Sequence, residues 1–133
     1  MSVKLGIAPI AWSNDDMPEL GGDTPLEQCL SEASQAGFVG IESGGKFPKT
    51  SEELLPKLEK YNLKLCSGWY SGNLRKNSVE QEKNLIQDQL KLFKDCEAPC
   101  IVFAEVFGSI PVSYTHLRAH ETLRYLVCRL LLE

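Results

Sequence analysis

Apolar positions along the chain fall into four short runs separated by three stretches with helical spacing. Residues 5–11 are almost continuously apolar, the pattern of a strand buried on both faces. A polar loop follows over residues 12–23, carrying Pro18, Gly21 and Gly22. Leu26, Cys29, Leu30 and Ala33 then recur at helical intervals. This helix has a marked start, with Thr24 as N-cap, Pro25 at the first helical position and Glu27 completing a capping box. Gly37 provides its left-handed stop.

The alternation continues. Residues 39–42 form a second strand, and Ser43-Gly44-Gly45 a loop. Thr50 and Glu53 make another capping box ahead of Leu54, Leu55, Leu58 and Tyr61, although Pro56 predicts a kink or a later start. Residues 63–69 read as a third strand and residues 100–105 as a fourth. Between them lies the longest helix, residues 79–96, with Leu85, Ile86, Leu90 and Phe93 on its inner face. Strands and helices alternating at this spacing specify βαβ units and a parallel sheet, which could open a barrel or a doubly wound fold. A dinucleotide-binding fold would place Gly-x-Gly-x-x-Gly after the first strand. The turn there is Trp12-Ser13-Asn14-Asp15-Asp16, and there is no P-loop.

The bulk properties narrow the class. A chain of 133 residues with 43% hydrophobic and 24% charged positions suits one modest soluble domain. Its net charge of −4 is spread along the chain, without the clustered Lys and Arg that nucleic-acid binding needs. No apolar run approaches a membrane span and no secretory signal opens the chain, so a cytoplasmic protein without membrane partners is expected. The five cysteines are odd in number and irregularly spaced, which suits reduced, packed thiols better than disulfides or zinc.

Residues 112–133 depart from this pattern. They hold both histidines, three of the four arginines and the run Leu130-Leu131-Leu132. Val112-Ser-Tyr-Thr-His-Leu-Arg-Ala-His-Glu-Thr122 resembles a translated sequencing adaptor, and Tyr125-Leu-Val-Cys-Arg-Leu-Leu-Leu-Glu133 resembles its flow-cell end in the same frame. Leu123 and Arg124 occupy the place of a sample index. His116 and His120 have the spacing of a helical zinc pair, but Glu121 does not directly follow the first histidine as the hydrolase motif requires. The expected organisation is therefore a barrel segment over residues 1–111 and a non-native tail over residues 112–133, which Leu126, Leu130 and Leu131 could still make helical.

In a TIM barrel the reactive groups stand at the C-terminal ends of the strands. That rule gathers Trp12, Asn14 and Asp15 after the first strand, Glu42 at the second, Trp69 at the third and Glu105 at the fourth. Aromatic faces, amides and carboxylates suit a polyhydroxylated ring, covering its C–H surface and binding its hydroxyls. Structural roles compete: the tryptophans could be core aromatics, and Asn14 and Asp15 could be turn residues. Glu42 and Glu105 each end an apolar strand, where a carboxylate is costly without a partner, and this favours a functional role.

The block Gly6-Ile-Ala-Pro-Ile-Ala-Trp-Ser-Asn-Asp-Asp-Met-Pro-Glu-Leu-Gly21 resembles the opening of the inosose dehydratase family. Gly40-Ile-Glu-Ser-Gly-Gly-Lys-Phe-Pro48 and Leu65-Cys-Ser-Gly-Trp-Tyr-Ser71 extend the resemblance across nearly all of residues 1–110. It implies a xylose-isomerase-like (β/α)8 barrel, a hydro-lyase that dehydrates 2-keto-myo-inositol in inositol catabolism. It also implies a divalent metal, manganese or cobalt, that polarises the ketone while a base removes the adjacent proton. In that superfamily the metal ligands come from later strands, and residues 1–111 contain no histidine. The six strand-end residues are thus candidates for substrate binding, with no metal ligand and no catalytic residue assigned. Homo-oligomerisation of the intact enzyme is left open.

Two alternatives stand beside this. One keeps the barrel but makes it a metal-dependent sugar isomerase or epimerase; the other is a short, non-catalytic binding module. About four βα units form only part of a barrel, which needs roughly 250 residues. Such a part, with open strand edges and an uncovered apolar side, is expected to associate and to lack lyase activity and tight metal binding. Continuous sequencing of the source DNA across the Pro111 codon tests the tail assignment. The expected result is a frame that leaves the adaptor-like sequence at that codon and continues with Glu, Asp and His at later strand ends. Uninterrupted genomic codons for residues 112–133 would overturn it.

Overall fold

The structure is a computed structural model that describes residues 3–108; the tail expected over residues 112–133 lies outside the described residues. Its elements are β1 (Gly6–Ile7), a 3-10 turn (Pro9–Ala11), α1 (Leu26–Gln35), β2 (Gly40–Ser43), α2 (Ser51–Lys60), β3 (Lys64–Gly72), α3 (Val79–Leu85), α4 (Gln87–Asp95) and β4 (Val102–Glu105). The first strand is shorter than its apolar run because Pro9, which has no N–H to give a ladder, begins the 3-10 turn. Neither expected capping box forms. Pro25 is the N-cap of α1, while the Thr24 hydroxyl donates to the Trp12 carbonyl at 3.5 Å. Thr50 caps α2 without a side-chain bond. The capping box instead lies at Ser78 and Gln81, at the start of α3.

Helix α2 runs through Pro56, which is exposed, so water can reach the carbonyl that proline leaves without a partner. The long helix divides at Ile86 into α3 and α4, although the Leu90 N–H still bonds the Ile86 carbonyl across the junction. The division changes the inner face. Leu92 and Phe93 are buried, whereas Leu85 and Leu90 are exposed. Gly37 takes φ +87°, the left-handed stop anticipated for α1.

All strands are parallel, and their order in the sheet is β1-β2-β3-β4. Crossovers between parallel neighbours are right-handed as a rule, so successive crossovers in chain order place their helices on the same side. A doubly wound sheet reverses direction to cover both sides, so chain order of this kind belongs to a (β/α)8 barrel. One core cluster joins Leu26 and Leu30 of α1, Ile41 of β2, Leu54 and Leu58 of α2, Leu65 of β3, and Leu92 and Phe93 of α4. The other side stays open: Trp69 and its register partner Val102 are both exposed. β3 is also staggered, its first half pairing with β2 and residues 69–72 with β4, the offset that closing a barrel requires.

A bulge in β3 separates the two faces. Ile41 is the register partner of Leu65, but Glu42 is that of Ser67, leaving Cys66 as an extra residue. Leu65 thereby stays in the core, while Cys66 and Ser67 both turn to the open face. A Cβ at Gly6 would stand 2.9 Å from Cys66 Sγ, and the Ser67 hydroxyl donates to Glu42 Oε1 at 3.2 Å. Gly68 then returns to the helix side. A Cβ there would lie 2.4 Å from the Phe93 ring and 2.0 Å from Ser43 Oγ.

One carboxylate is buried beneath this layer. Glu82 of α3 accepts hydrogen bonds from Asn77 Nδ2 at 2.9 Å and from the Tyr70 hydroxyl at 2.8 Å. These bonds, Asn77 first, hold its carboxyl below the ordinary glutamate value of 4.5, while burial pushes the Tyr70 hydroxyl upward.

Two outcomes follow from this packing. Gly68→Ala should destabilise the domain by about 1–3 kcal/mol by forcing α4 off the sheet; urea unfolding of both chains measures it, and an unchanged midpoint would contradict the close approach. The depressed Glu82 carboxyl contributes stability that is present above its unfolded value and lost as pH falls through its lower folded value. The stability gap between wild type and Glu82→Gln should therefore close on acidification below 4.5 in paired thermal melts, and a gap independent of pH would refute it.

Candidate functional site

Loops at the C-terminal ends of β1 and β2 are stitched together before any pocket is formed. Asp15 Oδ2 accepts the N–H of Gly45 at 2.6 Å. Lys46 Nζ donates to the carbonyls of Thr24 at 2.5 Å and Gly21 at 3.2 Å. A Cβ at Gly45 would stand 3.0 Å from Asp15 Oδ1, so glycine permits the approach. Nothing in the periodicity singles out Lys46; only the Gly-Gly-Lys loop composition marks the turn that carries it.

This stitched rim and helix α4 enclose a cleft of about 510 Å³, within the range of small-molecule sites. Its polar lining includes Asp15, Ser43, Lys49, Asp88 and Gln89, and its apolar walls include Trp69 and Phe47. The Trp69 indole is 55% exposed, and its Nε1 donates to Ser71 Oγ at 3.0 Å. Gln89 Nε2 donates to the Trp69 carbonyl at 2.9 Å, fixing α4 against β3.

Of the six strand-end residues, the cleft gathers Asp15 and Trp69. Glu42 lies beside it at the end of β2, half-buried and bonded by Ser67. Trp12 is turned to α1, where its Nε1 donates to Glu32 Oε2 at 2.6 Å and holds that carboxyl below the usual range. Asn14 accepts the N–H groups of Asp16 at 2.9 Å and Met17 at 3.1 Å, a turn-forming use of its side chain. Glu105 accepts the N–H groups of Leu74 at 2.6 Å and Phe107 at 3.0 Å, tying the loop after β3 to the segment after β4. Lys49, Asp88 and Gln89 were not legible as site residues: they come from a loop and a helix, not from strand ends.

A divalent metal needs several convergent carboxylate, imidazole or thiolate ligands. Among the described residues no group of three or more His, Cys, Asp or Glu side chains could hold one. The Asp15, Glu42 and Glu105 carboxylates accept hydrogen bonds from Gly45, Ser67 and Leu74 respectively and do not converge with one another, so these residues do not fit a metal site.

No family model matches the chain. It is 51% identical over 105 residues to the rhizopine catabolism protein MocC of Rhizobium meliloti, covering 79% of this chain and 32% of that protein. It is 46% identical over 111 residues to the inosose dehydratase of Mesomycoplasma hyopneumoniae strain 7448, covering 82% and 36%. With the inosose dehydratase of Geobacillus thermodenitrificans it shares 43% identity over 108 residues, covering 81% and 36%. The chain thus spans about a third of the length of the curated relatives it matches. The chain is thus similar over about four fifths of its length to the inosose dehydratases and MocC, and matches about a third of each.

Proposed function

We propose that this chain supplies the first four βα units of a (β/α)8 hydro-lyase that removes water from a keto-inositol during inositol catabolism. The observation that carries the proposal is the 43–46% identity to relatives named inosose dehydratase. The geometry supports it at the strand ends. Trp69 offers an exposed aromatic face to the C–H surface of a ring, and Asp15 keeps one carboxylate oxygen clear of the Gly45 N–H. Glu42, oriented by Ser67, accepts a substrate hydroxyl with the oxygen that serine does not use. Trp12, Asn14 and Glu105 shape the rim from behind. The manganese or cobalt ion expected for the whole barrel would draw its ligands from outside the described residues.

The substrate is a small neutral polyol, and the setting is the cytoplasm, without nucleic-acid or membrane partners. Among the described residues no helix is long and apolar enough to cross a membrane. The whole enzyme could act alone or as a homo-oligomer. A second proposal is favoured by the 51% identity to a protein named for rhizopine catabolism: the same barrel would act in that process.

Grafting residues 3–108 into the Geobacillus relative, in place of its matched segment, tests the proposal. The graft should eliminate water from 2-keto-myo-inositol, and Glu42→Gln or Trp69→Ala should lower kcat/KM at least about tenfold, the equivalent of 1.4 kcal/mol. A folded graft that epimerises ketoses but leaves the inosose intact would overturn the dehydratase assignment in favour of an isomerase.

A further inference from the structure

One pair of nucleophilic side chains lies outside the strand-end site. Cys66 is the extra residue of the β3 bulge, and Cys100 stands two residues before β4. The Cys100 thiol donates to the Cys66 carbonyl at 3.5 Å, so the two segments are already adjacent at this level. The four cysteines among the described residues are free: Cys29 and Cys96 are buried, Cys66 is half-buried and Cys100 is exposed.

Register explains why Cys66 and Cys100 share a face. Trp69 is the partner of Val102, and the same ladder carried back two residues sets Ser67 beside Cys100, with Cys66 one residue behind. Register partners point to the same side of a sheet, and sides alternate along each strand. Val102 is exposed and Ile101 packs on the core, which puts Cys100 on the open face with Ser67. In a regular strand Cys66 would then face the helices. The bulge turns it to the open face instead, and a diagonal pair of thiols comes to lie on one side. A strand spacing of about 4.8 Å and a rise of about 3.3 Å per residue put their Cα atoms roughly 6 Å apart. That is the usual separation across a disulfide.

We infer that Cys66 and Cys100 are a reversible dithiol–disulfide pair, a covalent clasp between β3 and β4 that closes in exchange with a small-molecule disulfide. Exposure sets the order of events. The Cys100 thiolate, its proton lost to solvent, attacks one sulfur of the reagent and releases the other half as a thiolate. Cys66 lies over Gly6 and Gly40, where an added Cβ would meet its side chain at 2.9 and 3.0 Å. Rotation about its χ1 to another staggered well turns the sulfur toward Cys100. Loss of the Cys66 proton and attack on the Cys100 sulfur then form the bridge and expel the second thiolate. Two cysteines are oxidised, the reagent is reduced to two thiols, and those thiols carry the two protons released. Burial pushes the Cys66 thiol upward, which leaves the first, intermolecular attack to Cys100. A cleft of about 480 Å³, lined by Gly6, Gly40, Cys66 and Pro99 among others, gives the reagent room to enter.

The test is exchange of the 133-residue chain, carrying Cys128→Ser, with glutathione disulfide in native buffer. Remaining thiols are blocked with N-ethylmaleimide, and the chain is cut with trypsin and a glutamyl protease, whose cleavage after Glu97 separates Cys96 from Cys100. The expected product is a pair of peptides joined through Cys66 and Cys100, lighter by two hydrogens and separated by dithiothreitol. In an equal mixture of nitrogen isotope-labelled and unlabelled chain, both joined peptides should carry the same label, because the bridge forms within one chain. With Cys66→Ser, the glutathione adduct at Cys100 should accumulate at least about tenfold above its level in the parent, since no thiol resolves it.

A lasting adduct at Cys100 with Cys66 still free would overturn the inference. So would a link from Cys66 to Cys29 or Cys96, joined peptides of mixed label, or thiols that stay unreacted. A Cys66–Cys100 link that forms in urea but not in native buffer would also overturn it, because the bulge would then play no part.

Discussion

Every feature of the site depends on the parallel, chain-order pairing of the four strands. Because crossovers between parallel strands are right-handed as a rule, that order assembles the helices over one face and leaves the other bare. The helix side becomes the core, where Leu30 and Ile41 lose all exposure and Phe93 presses against Gly68. The bare side keeps the polar and aromatic groups: Glu42, Ser67 and Trp69. The bulge at Cys66 reconciles the two, since strict alternation from Leu65 would have carried Ser67 to the helix side.

Much of this was legible in the sequence, for identifiable reasons. The stripe Leu26, Cys29, Leu30 and Ala33 is buried in full, because helical periodicity reports a face and that face has a sheet to meet. The same rule misplaced Leu85 and Leu90. The helix divides at Ile86, and each half presents its own face, so a single stripe drawn through both cannot hold. Capping residues were ambiguous for a related reason. A threonine hydroxyl bonds whatever lies nearest once the chain has folded, and for Thr24 that is the Trp12 carbonyl.

The site was legible to the extent that strand ends define it. Asp15 and Trp69 meet in the cleft, and Glu42 adjoins it. Trp12, Asn14 and Glu105 share the right residue types and the right positions, yet each is committed to a neighbour: Glu32, the Asp16 turn and the Leu74 backbone. Residue type at a strand end shows that a polar group is affordable there, not whether substrate or backbone receives it. Lys49 and Asp88 carried no signal, because an exposed charge in a loop or on a helix looks the same whether it faces solvent or a cleft.

The pairing order also bears on how such a chain emerges from the ribosome. Each described strand pairs only with its neighbours in chain order, so no contact in this part of the sheet waits for distant sequence. Loop closures stay short and of similar size, which keeps contact order low for a parallel sheet. Units can therefore dock one after another as they are synthesised, each covering the helix side of the last. The last unit made always presents an unpaired edge, and synthesis of the next strand is what protects it.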